Sequence, residues 1–449
     1  MAEEYKIKQG LNVKISGKAE ILMGDDIVVN YYSMRPIDFV GLIPKLLKKE
    51  GEAVKRGEPV YCDKYNTEIK FTSPVSGQIT NILRGEKRKL LEIIIQSDNE
   101  DNAINFEDII SVNSPESLKS LLTISGVWPF IKQRPYGIIA NPNDISRDIF
   151  ISFFDSAPLS CDFEFVLKDK TVEINAALKA LKTLTKGKVY LNFKKNSKLA
   201  DVIDNVNDYV VSFFDGPHPS GLAGTHINKI KPINKNEIVW TVNATDLPII
   251  GNLLLNAEYN TERLIAIAGP EVKHPCYYNL KSGADISEFL KTGVNGDNYR
   301  VISGNVLTGT NISANPCLGF YDNLISIIPE GNKYEMFGWM QPGFKKFSIN
   351  RAFASKIIHP KSFEINTNYH GGNRAYVVTG EYEKVCPLDI LPQLLIKAIM
   401  AGDIEKMENL GIYEVIEEDF ALCEFVCTSK TDVQTILREG LDIIRKEMS

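Results

Sequence analysis

The sequence predicts a multidomain protein of mixed α/β and α+β class, on three observations. The chain has 449 residues, too many for one core, so it should divide into roughly two to four domains. A glycine-punctuated β-rich block, residues 41–96, precedes a region where compact apolar runs alternate with helix-like stretches. After Pro387 the apolar residues recur at three- and four-residue spacing, the pattern of packed helices. These changes of texture divide the chain into 1–100, 101–258, 259–330, a connecting region 331–380, and 381–449.

Composition sets outer bounds. The chain is 44% hydrophobic and 24% charged, ordinary for a globular protein. Its net charge of −6 argues against nucleic-acid binding as the main role. The greasiest run, Leu247–Ala257 "LPIIGNLLLNA", falls short of the roughly 20 apolar residues that span a bilayer, so no transmembrane helix is expected. The start, "MAEEYKIKQG", has no apolar core and does not read as a signal peptide. Seven scattered cysteines, an odd number, fit reduced thiols in a cytoplasmic compartment better than a disulfide framework.

Each element follows from local pattern. Residues Tyr5–Asn30 read as short strand-like runs broken by Gly10, Gly17 and Gly24. In Gly41–Gln96, "KKEGEAVKRGEPVY" sets Gly51 and Gly57 at turns, and "FTSPVSGQITNIL" turns at Pro74 and Gly77 between alternating strands. "YGIIAN", "IFISFFD", "KVYLNF" and "YVVSFFD" read as buried strands, with helix-like Glu173–Lys186 and Lys198–Asn207 between some of them. From Leu264 to Ile328 a small module follows. "ERLIAIAG" and "YRVISG" are its strands, and "ADISEFLKTG" is a helix with Asp285 near its start and Gly293 after its end. Residues Tyr334–Phe347 are rich in aromatics and glycine and resist assignment. "LDILPQLLIKAIMAGDIEKMENLGI" and "TDVQTILREGLDIIRKEMS" are helical.

Cysteine spacing tests for a metal centre. Two-cluster ferredoxins use C-x2-C-x2-C-x3-C-P twice. If Cys386-Pro387 ends the first run, the earlier ligand positions hold Tyr376, Thr379 and Tyr382. If Cys427 ends the second, they hold Glu417, Phe420 and Cys423. Cys386, Cys423 and Cys427 are then vestigial cluster positions, and no metal site is expected. Cys423 and Cys427, spaced i, i+4, would share one helical face as small core hydrophobes. Zinc is disfavoured, because C-x3-C lacks a second ligand pair at suitable spacing.

The β block resembles a biotinyl/lipoyl-type barrel-sandwich domain. The resemblance implies a modified lysine eight residues before the proline of "SPVSG", but Asn66 stands there and Lys64 lies two residues too early. The order of parts, namely barrel-sandwich block, Rossmann-like α/β domain, β-grasp (SLBB-like) module and helical ferredoxin-like tail without clusters, resembles the C subunit of the Rnf electron-transport complex and the NADH-binding subunit of complex I. Those relatives carry a glycine-rich phosphate loop where this chain reads "SGVWPFIKQRPYG", with its two glycines, Gly126 and Gly137, far apart. No G-x-G-x-x-G occurs anywhere. Over its whole length the sequence is similar to the A-subunit family of Na+-translocating NADH:quinone reductases. "QGLNVKISGKAE", "EGEAVKRGEPV", "SPVSGQI", "GPHPSGLAGTHI" and "TGEYEKVCPLDILP" carry that similarity, in order.

The similarity implies a peripheral subunit on the cytoplasmic face of the bacterial inner membrane, with no redox cofactor or activity of its own. Its complex couples NADH oxidation and reduction of ubiquinone or menaquinone to Na+ export, and partner subunits handle NADH, flavins, iron–sulfur centres and Na+. Quinone-proximal candidates are Trp128 and Phe130 as ring-stacking surfaces, with Lys132 and Arg134 as donors to a carbonyl oxygen. His218 and His226 could donate a hydrogen bond or a proton. Each has a structural alternative: aromatics beside prolines as core anchors, and a histidine between prolines as a rigid turn. Two other functions compete. One is an NADH- or flavin-binding subunit of the Rnf C type, and the other is a biotinyl/lipoyl carrier.

Overall fold

Alternation in residues 31–97 builds two antiparallel sheets. A computed structural model describes residues 3–109, 114–332, 335–338, 340–350 and 352–448. One sheet orders Tyr31–Met34, Leu90–Ser97, Gly77–Arg84 and Ala53–Val54, and the other orders Pro44–Leu46, Pro59–Asp63 and Lys70–Thr72. Ile79 lies opposite Ile95, the register slips before Asn81, and Ile82 then faces Ile93. Such a bulge bends the strand and raises its twist, which suits a curved wall. Asn66 sits in the turn between Pro59–Asp63 and Lys70–Thr72, its carbonyl accepting from the Ile69 N–H, while Lys64 is exposed beside it.

The next sheet has seven strands in the order Glu3–Lys6, Val210–Asp215, Val189–Lys194, Ile149–Ser152, Val239–Asn243, Lys132–Arg134 and Ile138–Ile139. The first five are mutually parallel, and the last two pair antiparallel. Its central strands are apolar almost throughout because both their faces are buried, as parallel strands require. Helix Thr171–Leu184 buries Ile174, Ala177, Leu178, Leu181 and Leu184, close to the span expected. The apolar run at Leu247 forms helix Leu247–Asn256.

Two expectations fail here. Lys198–Asn207 forms two short 3-10 turns, Leu199–Val202 and Val206–Asp208, with Asn205 in the left-handed region at φ 48°. Asn175 takes backbone groups a helix would use: its amide donates to Val202 O and its carbonyl accepts from Asp204 N. Tertiary hydrogen bonds override local propensity. Of the strand-like runs in Tyr5–Asn30, only the first becomes a strand, Glu3–Lys6, and it extends the seven-stranded sheet instead of the barrel block. The rest straps the parts together. Leu11 N donates to His218 O, Gly10 N to Lys384 O, and Gly24 N to Tyr277 O.

A five-stranded sheet, Cys276–Lys281, Glu262–Ala268, Leu324–Pro329, Tyr299–Ser303 and Thr310–Asn311, forms the third part. Its helix, Ser287–Thr292, begins where the Asp285 carboxylate accepts from the Ser287 N–H, and Gly293 follows its end. Tyr334 and Trp339, within the unassigned stretch, lie outside the described residues. The tail is helical, but its long periodic run is two helices, Pro392–Met400 and Ile404–Asn409. Gly402 breaks it at φ +68°, and Asp403 caps the second helix by accepting from Lys406 N. Helix Val433–Met448 closes the tail, with Val433, Leu437, Leu441 and Ile444 buried. Among the described residues no helix is long and apolar enough to cross a membrane.

Candidate functional site

The loop 125–137 is where the parts of the chain meet. Gly126 (φ +82°) has Thr72 of the barrel block so close that a Cβ would lie 2.2 Å from its hydroxyl oxygen. This glycine serves domain packing. Trp128 is buried, its indole N–H donating to Ala140 O at 2.6 Å and its ring edge-on to Trp240. Phe130 is buried and stacked on Phe320 with centroids 4.6 Å apart, and the Arg263 guanidinium lies 5.0 Å from its centre. Lys132 is half-buried, its ammonium 3.6 Å from the Tyr321 ring centre. Tyr321 in turn donates to Pro129 O, and Phe39 of the barrel block packs on Phe71, Phe320 and Tyr321.

Carboxylates ring this aromatic junction. Burial pushes Asp38 up to about 6, against the opposing pull of Arg35 and of the Phe320 N–H from which it accepts. Burial likewise raises Asp246, despite its 2.7 Å ion pair with Arg263, and Asp322, which accepts from Ser303. An acid whose folded pKa lies above its unfolded one favours the native state below the unfolded value, and that advantage is lost as pH rises through the folded one. Asp38 should therefore erode stability between about pH 4 and 6, by roughly 1–3 kcal/mol. Asp38→Asn keeps an acceptor for Phe320 N and should remove that slope. The check is the unfolding free energy of wild type and variant at both ends of this window; the variant's relative advantage should grow with pH.

Arg134 points the other way, into the tail. It is buried, and donates to Asp419 at 2.6 Å and to Glu418 at 2.7 Å. Asp419 also accepts from Ile416 N. Gly224, in helix Ala223–Ile230, leaves room for this pair: a Cβ there would sit 2.1 Å from Asp419 Oδ1. Both histidines are held below their ordinary value by burial, His218 at about 4 and His226 at about 3, so both rings are neutral at physiological pH. His226 Nε2–H donates to Ser220 O, its Nδ1 has no hydrogen-bond partner among the described residues, and Phe214 and Phe154 flank it. His218 Nδ1 lies 3.0 Å from Ser156 Oγ, and its backbone N–H donates to Asn12.

The fold thus brings Phe130 and Lys132 into one junction around Phe320 and Tyr321, while Trp128 packs on Trp240. Arg134 lies against the helix that carries His226, and His218 sits in a separate loop contact. Neither of two open cavities is lined by these six residues: one of about 330 Å³ borders Glu271, Asp297 and Glu330, and one of about 300 Å³ borders Val28, Tyr32 and Lys281. Sequence reasoning missed Phe320, Tyr321, Arg263 and Asp419, which complete the junction and the ion pair. The adjacent aromatics of "GFYDN" were the one local signal.

In the tail, Cys386, Cys423 and Cys427 are all buried, and among the described residues no group of three His, Cys, Asp or Glu is arranged to hold a metal. Cys423 lies in helix Ala421–Val426 and Cys427 just past its end. Their surroundings differ. Cys427 Sγ accepts from Thr431 N at 3.4 Å, whereas Cys423 Sγ lies 4.0 Å from Tyr382 O and beside the Cys386 thiol. Replacing both with Ala should cost roughly 1–3 kcal/mol in total. Cys427→Ser should be mild, since its hydroxyl can still accept from Thr431. Cys423→Ser should cost about 1–3 kcal/mol on its own. Urea denaturation of the two single variants reads this asymmetry, and equal losses would contradict it.

Comparison with known proteins follows the same order of parts. The model of the NqrA N-terminal barrel-sandwich hybrid domain matches residues 5–98, that of the NqrA second alpha/beta domain residues 113–259, and that of the NQRA C-terminal domain (SLBB) residues 264–314. The A subunit of the Na(+)-translocating NADH-quinone reductase of Serratia proteamaculans is 36% identical over 448 residues, covering 98% of this chain and 99% of the relative. The protein of the same name from Vibrio atlanticus is 36% identical over 446 residues, and that from Neisseria gonorrhoeae 38% over 449, each with 98% and 99% coverage. The chain therefore belongs to the NqrA family, the A subunits of Na+-translocating NADH:quinone reductases.

Proposed function

We infer that this protein works as a peripheral subunit of a sodium-pumping NADH:quinone oxidoreductase, a translocase, on the cytoplasmic face of the membrane. It contributes scaffold without a redox cofactor of its own. Membrane and peripheral partner subunits handle NADH, flavins, iron–sulfur centres, Na+ and quinone. One observation carries the scaffold reading: residues 125–137, where the resemblance to the Rnf C type would put a glycine-rich phosphate loop, are used for packing, with Gly126 abutting Thr72 of the barrel block. The parallel strand order supports a Rossmann-like description of that domain, and the paired buried cysteines of the helical tail support a ferredoxin-like ancestry. The five-part division at 100, 258, 330 and 380 accommodates each sheet except for the strand Glu3–Lys6. Asn66 at the hairpin tip speaks against a biotinyl/lipoyl carrier.

A second reading makes Trp128, Phe130, Lys132, Arg134, His218 and His226 the wall of a quinone path. One observation favours it: Lys132 carries an ammonium donor directly beside the aromatic junction. The subunit reading is tested by purifying tagged membrane subunits from cells that express this chain. It should co-purify in fixed ratio, and its absence from the complex would overturn the reading. The cofactor-free part is tested on the isolated protein, which should be colourless and carry no iron or flavin; about four irons per chain would overturn it.

A further inference from the structure

The described residues of 335–378 form an arm that is tied to the body at some points and bare at others. The ties are specific. Phe363 N donates to Lys14 O at 2.8 Å, and the Phe347 ring packs on Phe363 and on Phe425 of the tail, 5.4 and 5.9 Å between centroids. Arg374 N donates to Ser429 O, and a bond from Ala354 N to Pro342 O closes the arm on itself. The bare part carries Met336, Phe337, Met340, Phe344, Ile357 and Ile358, which are 55–82% exposed. A chain that leaves so many large apolar side chains in water along one segment marks an interaction surface.

Charge decides what occupies it. Residues 335–378 hold six Lys or Arg against two Asp or Glu, in a chain of net charge −6. Lys346 pairs with Glu335, while Lys345, Lys356 and Lys361 are exposed among the bare apolar residues. Protein interfaces deplete lysine, because its hydrated ammonium resists burial and its long chain loses entropy. At a lipid headgroup the same residue is favourable. Its apolar stem lies along the acyl boundary and the ammonium reaches a phosphate, while Met, Phe and Ile enter the apolar layer.

We propose that the arm 335–378 rests on anionic lipid headgroups, with Lys345, Lys356 and Lys361 meeting phosphates and Phe337 and Ile357 entering the interface. The proposal deepens the reading of this chain as a peripheral membrane subunit and rests on it. The test is sedimentation of the full chain with vesicles of phosphatidylcholine containing about 30% phosphatidylglycerol, against vesicles of phosphatidylcholine alone. Binding is expected to the anionic vesicles only, and to be lost at about 0.5 M salt. Lys345→Ala, Lys356→Ala and Lys361→Ala together should weaken it roughly tenfold to a hundredfold. Phe337→Ser with Ile357→Ser should weaken it separately. A control at other exposed apolar residues, Ile21→Ser with Leu22→Ser and Val28→Ser, should not.

Because every substituted side chain is exposed, unchanged near-ultraviolet circular dichroism is expected throughout and is measured alongside. No vesicle binding by the wild-type chain, or binding that the arm variants leave intact, overturns the proposal. If the arm variants instead lose the membrane subunits while the wild type ignores vesicles, the arm seats on protein and the lipid assignment is wrong. A chain that binds vesicles through the arm but never co-purifies with membrane subunits would sink the subunit reading alone.

Discussion

Asp419→Ala is expected to destabilise the protein by about 3–5 kcal/mol, the usual consequence of removing one partner from a buried ion pair. Arg134 and Asp419 are both buried, 2.6 Å apart, and they join the seven-stranded sheet to the tail. Truncating the acid leaves the guanidinium, among the described residues, with the partly exposed Glu418 and a long contact to Glu414 O, and it strips the Ile416 N–H of its acceptor. Removing both charges is a different experiment. Arg134→Met with Asp419→Leu should recover much of the loss, because no unpaired charge stays buried. Gly224→Ala should partly imitate Asp419→Ala, since its Cβ would need the space of the carboxylate. Urea denaturation of these variants separates the effects. A loss below about 1 kcal/mol for Asp419→Ala would show that the tail is held by other contacts.

Phe130→Ala should cost about 3–5 kcal/mol, because a fully packed aromatic ring is removed where three parts of the chain meet. Phe320 loses its stacking partner and Arg263 the ring beneath it. The scaffold reading expects less assembled complex and an unchanged quinone KM in what remains. The quinone-path reading expects a tenfold to hundredfold rise in apparent quinone KM, with NADH oxidation by an artificial acceptor intact, as loss of about 1–3 kcal/mol of contact would give. Both activities normalised to assembled complex distinguish the two.

Local pattern made some of this legible and could not reach the rest. The helix at Thr171 and the capped helix at Ser287 follow from spacing within a dozen residues, and the structure places them close to where spacing does. Order of motifs was enough for the family, which the full-length relatives show. The helix expected over Lys198–Asn207 fails because Asn175, distant in sequence, claims its backbone. The role of Arg134 was hidden for the same reason. Nothing local to a basic residue in an aromatic loop shows that it pairs with Asp419, 285 residues away. His226 shows the converse: a histidine in a proline- and glycine-rich stretch gives no sign that it is buried and neutral between two phenylalanines.

The proposed role, a subunit without a redox cofactor that the larger reductase needs for quinone reduction, meets its most direct test in paired activities of membranes from cells lacking this chain. Electron flow from NADH to an artificial acceptor should persist, because the proposed reading puts the flavin that takes up the electrons in a partner. Na+-stimulated quinone reduction should vanish and return when the purified protein is added back. Quinone reduction that continues undiminished without the chain, or loss of both activities in a complex whose other subunits are all present, would contradict this role.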